Sequence, residues 1–519
     1  MAGFTVLGGG VSGLSTAWYL AQRLPRTATI TVVEGSDRLG GWVRTAQRSA
    51  GGAAVLAEKG PRTLRTGASR EALAVLELVD DLDLRDTVVT AARTSAAARN
   101  RFIYYDGELN RMPAGLASLV GGLPPAARCL ARGVWRDLTT RSTGSSATDE
   151  SIHDFVTRRF GAAVDDNLAS AVMRGIYAAD TRDLSARALL FPFWLADRTG
   201  STGVLRGLPR VAKLSRARNA VHAQRDAAER LAHAERRRRH PAFWDALDGA
   251  SMYSFADGMQ TLTDALAAAL RTCPNVRVLT GSPAVALRAL DGCAEVALAD
   301  GQTLHAHHVI SALPTPRLAP LLGGDSAMLQ MPYASVAVVN VAYAERNVTP
   351  VDGFGYLVPR ASATQSGALG VVFDSRALPP QDRDAPVERV TVMLGLPSGD
   401  GGSNITAASV EETALQTLRE HLRIAQAPTD VDATIAMHCI PTYTVGYVDR
   451  LADIHSWVAR QLNGRLSVVG AAYGGPAVPQ CVLHARDLVH RHLRLDDQAA
   501  LQAPQNVTGL EEILRGFDF

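Results

Sequence analysis

The sequence predicts a mixed α/β fold, α+β in detail, and three observations carry that expectation. Residues 4–34 read as a short apolar strand, a glycine turn, a helix and a second strand. Residues 276–313 read as three short strands and then His308-Val309-Ile310-Ser311-Ala312-Leu313-Pro314, a strand leaving a sheet. Near the C-terminus, Leu466-Ser467-Val468-Val469-Gly470-Ala471 is one more strand running into glycines, with a helix over 477–493 behind it. Strands that alternate with helices in this way predict a parallel sheet carrying helices on its faces. Its three segments are far apart in the chain, so the expected domain is discontinuous.

The first of these stretches also carries chemistry. Gly8, Gly10 and Gly13 stand at G-x-G-x-x-G spacing between the strand 4–7 and the helix-period run 14–24. Gly8 permits the tight turn, Gly10 lets the backbone approach a pyrophosphate, and Gly13 lets the helix pack closely on the strand. Gly9, Val11 and Ser12 complete the turn, and the helix offers the pyrophosphate free N–H groups and a positive dipole end. The second strand, 28–33, ends in Glu34, placed to accept ribose hydroxyls. A glycine motif alone could be a tight turn that binds nothing. Strand, helix, second strand and terminal acid in register make it a dinucleotide-binding unit of the Rossmann type. Gly35 and then Asp37-Arg38-Leu39-Gly40-Gly41 extend it, Arg38 adding a cation beside the phosphates. That extension resembles the FAD-containing amine oxidase superfamily, which implies FAD as the cofactor.

Composition narrows the classes. A chain of 519 residues has room for two or three domains with sizeable cores. With 47% hydrophobic and 20% charged residues, wholesale disorder is excluded. A formal charge of +2 gives no argument for nucleic acid, and none is expected as a partner. Cys129, Cys273, Cys293, Cys439 and Cys481 are scattered without a C-x-x-C, so neither a disulfide framework nor a metal site is expected. No uninterrupted apolar window reaches the length of a membrane span.

Along the chain, Trp42 follows the glycine pair, and Glu58-Lys59-Gly60-Pro61-Arg62-Thr63 is a Gly-Pro turn set to lie against the cofactor. Residues 70–90 read as one amphipathic helix. The segment 101–109 reads as a hairpin with an Asp-Gly turn, and helices are expected over 114–138, 149–160, 162–179 and 185–197. The first has Leu116, Leu119, Val120, Leu123, Leu130, Val134 and Trp135 with Arg128, Arg132 and Arg136. It suits either the cover of a core or a membrane interface. Residues 214–245, with four successive arginines at 236–239, read as a solvated, flexible insertion. The expected organisation is a dinucleotide-binding domain from 1–90, 250–315 and 460–519, a mostly helical membrane-binding region over 91–249, and a sheet-rich substrate domain over 316–459.

From end to end the chain resembles the protoporphyrinogen oxidases of the mitochondrial type. GGGVSGLSTAWYL, EGSDRLGGWVR, EKGPRTLR, NRFIYY, RGIYAADTRDLS, HHVISALP, SVAVVNVAY, GFGYLVP, VTVMLG, HCIPTYTVGY and VVGAAYGG carry the resemblance. It implies FAD contacts at Gly8 to Gly13, Glu34, Gly35, Arg38, Trp42, Gly60 to Thr63, Ala284, Val448, Pro476, Ala477 and Val478. For substrate it implies Arg101 on a propionate, Phe354 and Leu357 about a pyrrole ring, Met393 on the other side, and the Gly175 backbone facing the macrocycle. Read from spacing alone, Phe354, Leu357 and Met393 would be plain core and Arg101 an exposed hairpin residue.

The reaction implied is oxidation of protoporphyrinogen IX with O2, releasing H2O2, the penultimate step of haem synthesis. No side-chain acid or base is expected, because the flavin carries the chemistry. The resemblance further implies a peripheral protein of the mitochondrial inner membrane without a cleavable presequence, a homodimer, and ferrochelatase as a partner. Two other readings stay open on the residues themselves. One is a flavin oxidase of the same fold acting on amines or polyenes. The other is a non-catalytic flavin-binding interaction protein.

Overall fold

The computed structural model describes residues 3–517 apart from 113–123, 141–147, 200–202, 223–224, 324–328, 364–366, 384, 398–404 and 496–497. At its centre lies a sheet in the order Val276–Leu279, Thr29–Val33, Gly3–Leu7, His308–Ser311, Leu466–Val468, every neighbouring pair parallel. Gly3–Leu7 is buried at every position, as a central strand covered on both faces must be. Successive residues of a strand point to opposite faces. Val6 and Val32 accordingly join a core with Leu14, Leu20, Leu262, Leu266 and Val482 of three covering helices, Val11–Arg23, Gln260–Thr272 and Val478–Asp487. Leu7 and Val33 join a second core with Leu298, Leu451 and Ile454.

A seven-stranded sheet forms the other half, in the order Asp430–Pro441, Tyr333–Tyr343, Glu388–Leu396, Ala368–Val372, Gly355–Leu357, Phe102–Tyr105, Glu108–Arg111. Helix Ala407–Leu422 covers one face through Val410, Ala414 and Leu418, which pack with Val339, Tyr356, Val371 and Val392. The opposite face is left for the site. The hairpin at 102–111, expected within the helical region, adds to this sheet through parallel pairing of Tyr356 with Phe102 and Leu357 with Ile103.

Three further expectations differ from what is observed. The helix expected over 70–90 ends at Asp81, Asp83 turns into the left-handed region at φ +55°, and Val88–Ala92 is a strand. The β-branched run Val88-Val89-Thr90 is the reason, since such side chains lose rotamer freedom in a helix and pair well with Ala250–Phe255. The helix expected over 114–138 is observed over Pro125–Thr139, and Leu116, Leu119, Val120 and Leu123 lie outside the described residues. Residues 214–245, expected as a flexible insertion, are mainly helical, within Val204–His222, Arg225–Arg239 and Pro241–Asp248. Their charges have partners: Arg236 pairs with Asp80 and Asp81, and Glu229 with Arg486. Arg238 and Arg239 keep the solvated face that a charge run suggests, 72% and 67% exposed. No helix among the described residues is long and apolar enough to cross a membrane.

Candidate active site

The glycine turn is built by contacts that only glycine allows. Gly8 has φ +98° and donates its N–H to Val33. A Cβ on Gly13 would stand 1.8 Å from the carbonyl oxygen of Gly8, so the helix approaches the strand as closely as backbone permits. Gly10 pairs with Gly40, and a Cβ on Gly41 would stand 3.0 Å from the Gly10 Cα. Two glycine loops thus meet back to back above the strand ends. Helix Val11–Arg23 begins at Gly10 with no side-chain cap and no acid in its first turn, leaving its N–H groups for an anion.

Glu34 sits where the second strand ends. One carboxylate oxygen accepts from the Gly9 N–H at 2.6 Å, the other from the Ser36 N–H and hydroxyl at 2.8 Å each. It braces the loop and keeps lone-pair capacity for a ribose hydroxyl. Arg38 curls back to donate to the carbonyls of Leu39 and Gly41, and burial followed by nearby Arg44 lowers its pKa. Gly35 abuts Pro283, and Ser282 donates to the Glu34 carbonyl, which sets Ala284 beside this end of the site. Trp42 is exposed, and its carbonyl lies 2.3 Å from where a Gly60 Cβ would be.

The C-terminal turn arrives at the same edge. Gly470 has φ +119° and faces Ser12; Gly475 has φ +125°. Pro476 is part-buried, Ala477 exposed and Val478 buried at the head of its helix. Val448 is enclosed in the second core, so what it contributes is packing. Its neighbours Tyr443 and Tyr447 brace the turn, their hydroxyls donating to the carbonyls of Ala471, Ala472 and Tyr473.

A buried polar network, which no local pattern announces, joins this half to the seven-stranded sheet. Arg62, beside Pro61 and Thr63, donates to Asp374 at 2.8 Å, while its Nε and Nη2 are buried and have no partner among the described residues. Thr391 donates to the other Asp374 oxygen and contacts Asn340, which donates to the Glu58 carbonyl. The Glu58 side chain accepts from the Met259 N–H and the Thr45 hydroxyl, yet burial pushes its pKa up to about 7. Two orphaned guanidinium donors beside the glycine loops suit a phosphate-bearing or carbonyl-rich cofactor and nothing apolar.

The substrate residues meet on the uncovered face of the large sheet. Leu357, Gly370, Met393 and Val338 are cross-strand partners in one row, so their side chains share a face. A Cβ on Gly370 would stand 3.3 Å from Leu357 Cδ2, so the Leu357 side chain lies over Gly370. Gly175 closes on that row from helix Ser170–Tyr177, where a Cβ would stand 2.5 Å from Leu357 Cδ2. Phe354 packs on Ala91, Met252 and Leu378, and the Arg101 guanidinium lies 5.5 Å from its ring centre. Burial, followed by Arg65, lowers the Arg101 pKa. Arg65 stands out only here: it belongs to the EKGPRTLR stretch, but its partner hairpin is contributed by another segment.

The family model for flavin containing amine oxidoreductases matches residues 11–436. The chain is 32% identical over 498 residues to the protoporphyrinogen oxidase of Schizosaccharomyces pombe, covering 94% of this chain and 97% of that protein. It is 34% identical over 495 residues to the protoporphyrinogen oxidase of Homo sapiens, covering 93% and 96%. The chain belongs to the protoporphyrinogen oxidase family. Within the flavin containing amine oxidoreductases its fold is shared widely. A protein of Exiguobacterium sp. 255-15 superposes with a TM-score of 0.71 at 20% identity, covering 94% of this chain and 98% of that one. A putrescine oxidase does so at 0.61 and 16%, with the same coverage. As a flavoprotein of this family the chain takes FAD, which the uncapped helix, Glu34 and the unpartnered Arg62 donors fit. Relatives matched over nearly their whole length do not favour the amine, polyene or non-catalytic alternatives.

Proposed function

We propose that the protein oxidises protoporphyrinogen IX to protoporphyrin IX, removing six electrons in three rounds, with O2 as acceptor and H2O2 as product. The row Leu357–Gly370–Met393, roofed by Gly175, is the observation that supports this reading best. Its apolar walls suit a flat macrocycle, and Arg101 beside Phe354 suits a carboxylate at its rim. The uncapped helix behind Gly8 to Gly13 and Glu34 would hold FAD, which would supply the hydride-accepting chemistry of each round. The chain's own residues hold the macrocycle, set its depth and keep water from the apolar row. Burial raises the Glu58 pKa to about 7, so near neutral pH the joint between the two halves carries only part of a second negative charge beside Asp374.

We further propose a peripheral place on the inner mitochondrial membrane within haem synthesis. In support, Leu130 and Trp135 are exposed on an Arg-bearing helix, and Val172 and Ile176 are exposed near Gly175. A homodimer and delivery of product to ferrochelatase complete the proposal and rest on family resemblance. The deciding experiment mixes purified protein with protoporphyrinogen IX without oxygen, then admits it. Flavin bleaching followed by porphyrin fluorescence above autoxidation is expected. A flavin that stays oxidised, or that bleaches with amines instead, overturns the assignment.

A further inference from the structure

The porphyrinogen of the proposed reaction carries two propionates on neighbouring rings, and Arg101 answers one of them. A second guanidinium stands close by. Arg65 ends the short strand Leu64–Arg65 and pairs with Met252, which in turn pairs with Ala91. In-register partners on neighbouring strands share a face, so Arg65, Met252 and Ala91 form one row. Phe354 packs on Met252 and Ala91, and Arg101 lies over the Phe354 ring. The aromatic ring is therefore bordered by Arg101 and by the row that Arg65 ends.

Neither guanidinium has a carboxylate partner among the described residues, although the nearby arginines do. Arg62 is held by Asp374, and Arg376 by Glu388. Two like charges brought together beside an aromatic ring repel each other, and burial makes this worse for Arg101. A dianion bound between them removes that repulsion and gains two charge-assisted contacts.

We propose that Arg65 is the second carboxylate-binding residue, so that Arg65 and Arg101 take the two propionates of the porphyrinogen at the Phe354 end of the slot. This rests on the reading of the substrate given above. The consequence is orientation. The propionate edge stays at the arginine pair, and the carboxylate-free edge enters the apolar row of Leu357 and Met393. A tetracarboxylic porphyrinogen would carry two of its charges into that row, so it is a poor substrate.

The test compares wild type with Arg65→Ala, Arg65→Lys and Arg101→Ala on protoporphyrinogen IX and on its dimethyl ester. The Kd of protoporphyrin IX, from fluorescence titration, gives a readout separate from turnover. For Arg65→Ala the expected result is a KM and Kd for the diacid raised about ten- to a hundredfold, with kcat within about threefold. Arg65→Lys recovers part of the loss, and the ester's KM is the same in wild type and Arg65→Ala. Because Arg65 is exposed, flavin content and melting temperature should match wild type. Should Arg65→Ala not fold, Arg65→Gln replaces it in the same comparison. An unchanged KM for the diacid, or an equal rise for diacid and ester, overturns the proposal while leaving the reaction standing. A wild type that oxidises no protoporphyrinogen overturns the reaction and the proposal together.

Discussion

Arg360 reaches from the far end of the Leu357 strand to the carboxylate of Asp165 in the helical region. The same guanidinium donates to Asp180 at 2.7 Å and to the Thr181 hydroxyl at 2.9 Å, and the Arg360 N–H donates to Ser170. Asp165 is fully buried in a five-residue π-helical turn, Asp165–Ala169, that runs into the helix bearing Gly175. Arg360 thereby ties the Leu357 end of the sheet to the helical segment that bears Gly175, as does Arg174, which donates to the Ala368 carbonyl.

Arg360→Ala leaves a buried carboxylate without its cation and should cost about 3 kcal/mol of stability. Urea unfolding checks the cost. Arg360→Lys should recover part of it, and Arg360→Ala should also raise KM as the helix withdraws. A loss under about 1 kcal/mol would mean that His153 and Thr181 hold Asp165 by themselves.

Gly13→Ala places a methyl where the Gly8 carbonyl stands. Backbone cannot yield as a side chain can, so the turn must open and the anion site with it. The purified variant should be colourless, and added FAD should not restore flavin absorbance. Full flavin content in this variant would show that the helix does not need so close an approach.

Gly175→Ala meets only the flexible end of Leu357. Leu357 Cδ2, which lies between Gly175 and Gly370, must be pushed along the row, reshaping the slot rather than the core. Steady-state kinetics should show KM raised about tenfold, the equivalent of about 1.4 kcal/mol, with the melting temperature nearly unchanged. Wild-type KM with a lower melting temperature would assign Gly175 to packing.

Glu58 makes stability depend on pH. Its pKa rises from 4.5 to about 7 on folding, mainly through burial. The native state then binds the extra proton between those values, so stability is greatest below the unfolded value and falls as pH rises through the folded one. The loss amounts to about 3 kcal/mol. Urea unfolding at pH 5 and pH 8 should show it in wild type, and Glu58→Gln should flatten it. Parallel behaviour in both proteins would mean that the donors at Met259 and Thr45 keep Glu58 ionised.

What was legible in the sequence was local. Gly8, Gly10 and Gly13 could be read because each is demanded by a turn a few residues long, and Glu34 because it ends the very next strand. The substrate row could not be read from spacing. Leu357, Gly370 and Met393 become neighbours only through strand pairing, and only the family resemblance singled out Leu357 and Met393. The Arg62–Asp374 contact spans 312 residues and the Arg360–Asp165 contact 195. Arg236 looked solvated because its carboxylates at 80 and 81 lie over 150 residues away. Pairing at such separations leaves no periodic trace.

The parallel sheet is completed by Leu466–Val468, laid beside His308–Ser311, and the helix behind it seals the glycine turn against Val11–Arg23. During synthesis the first two strands therefore leave the ribosome on the order of half a minute or more before the last strand exists. Nucleotide capture becomes the closing event of the protein's birth. A chain stopped before its final tenth would carry every fingerprint residue of the N-terminal turn and still lack the strand and helix that close the cofactor site.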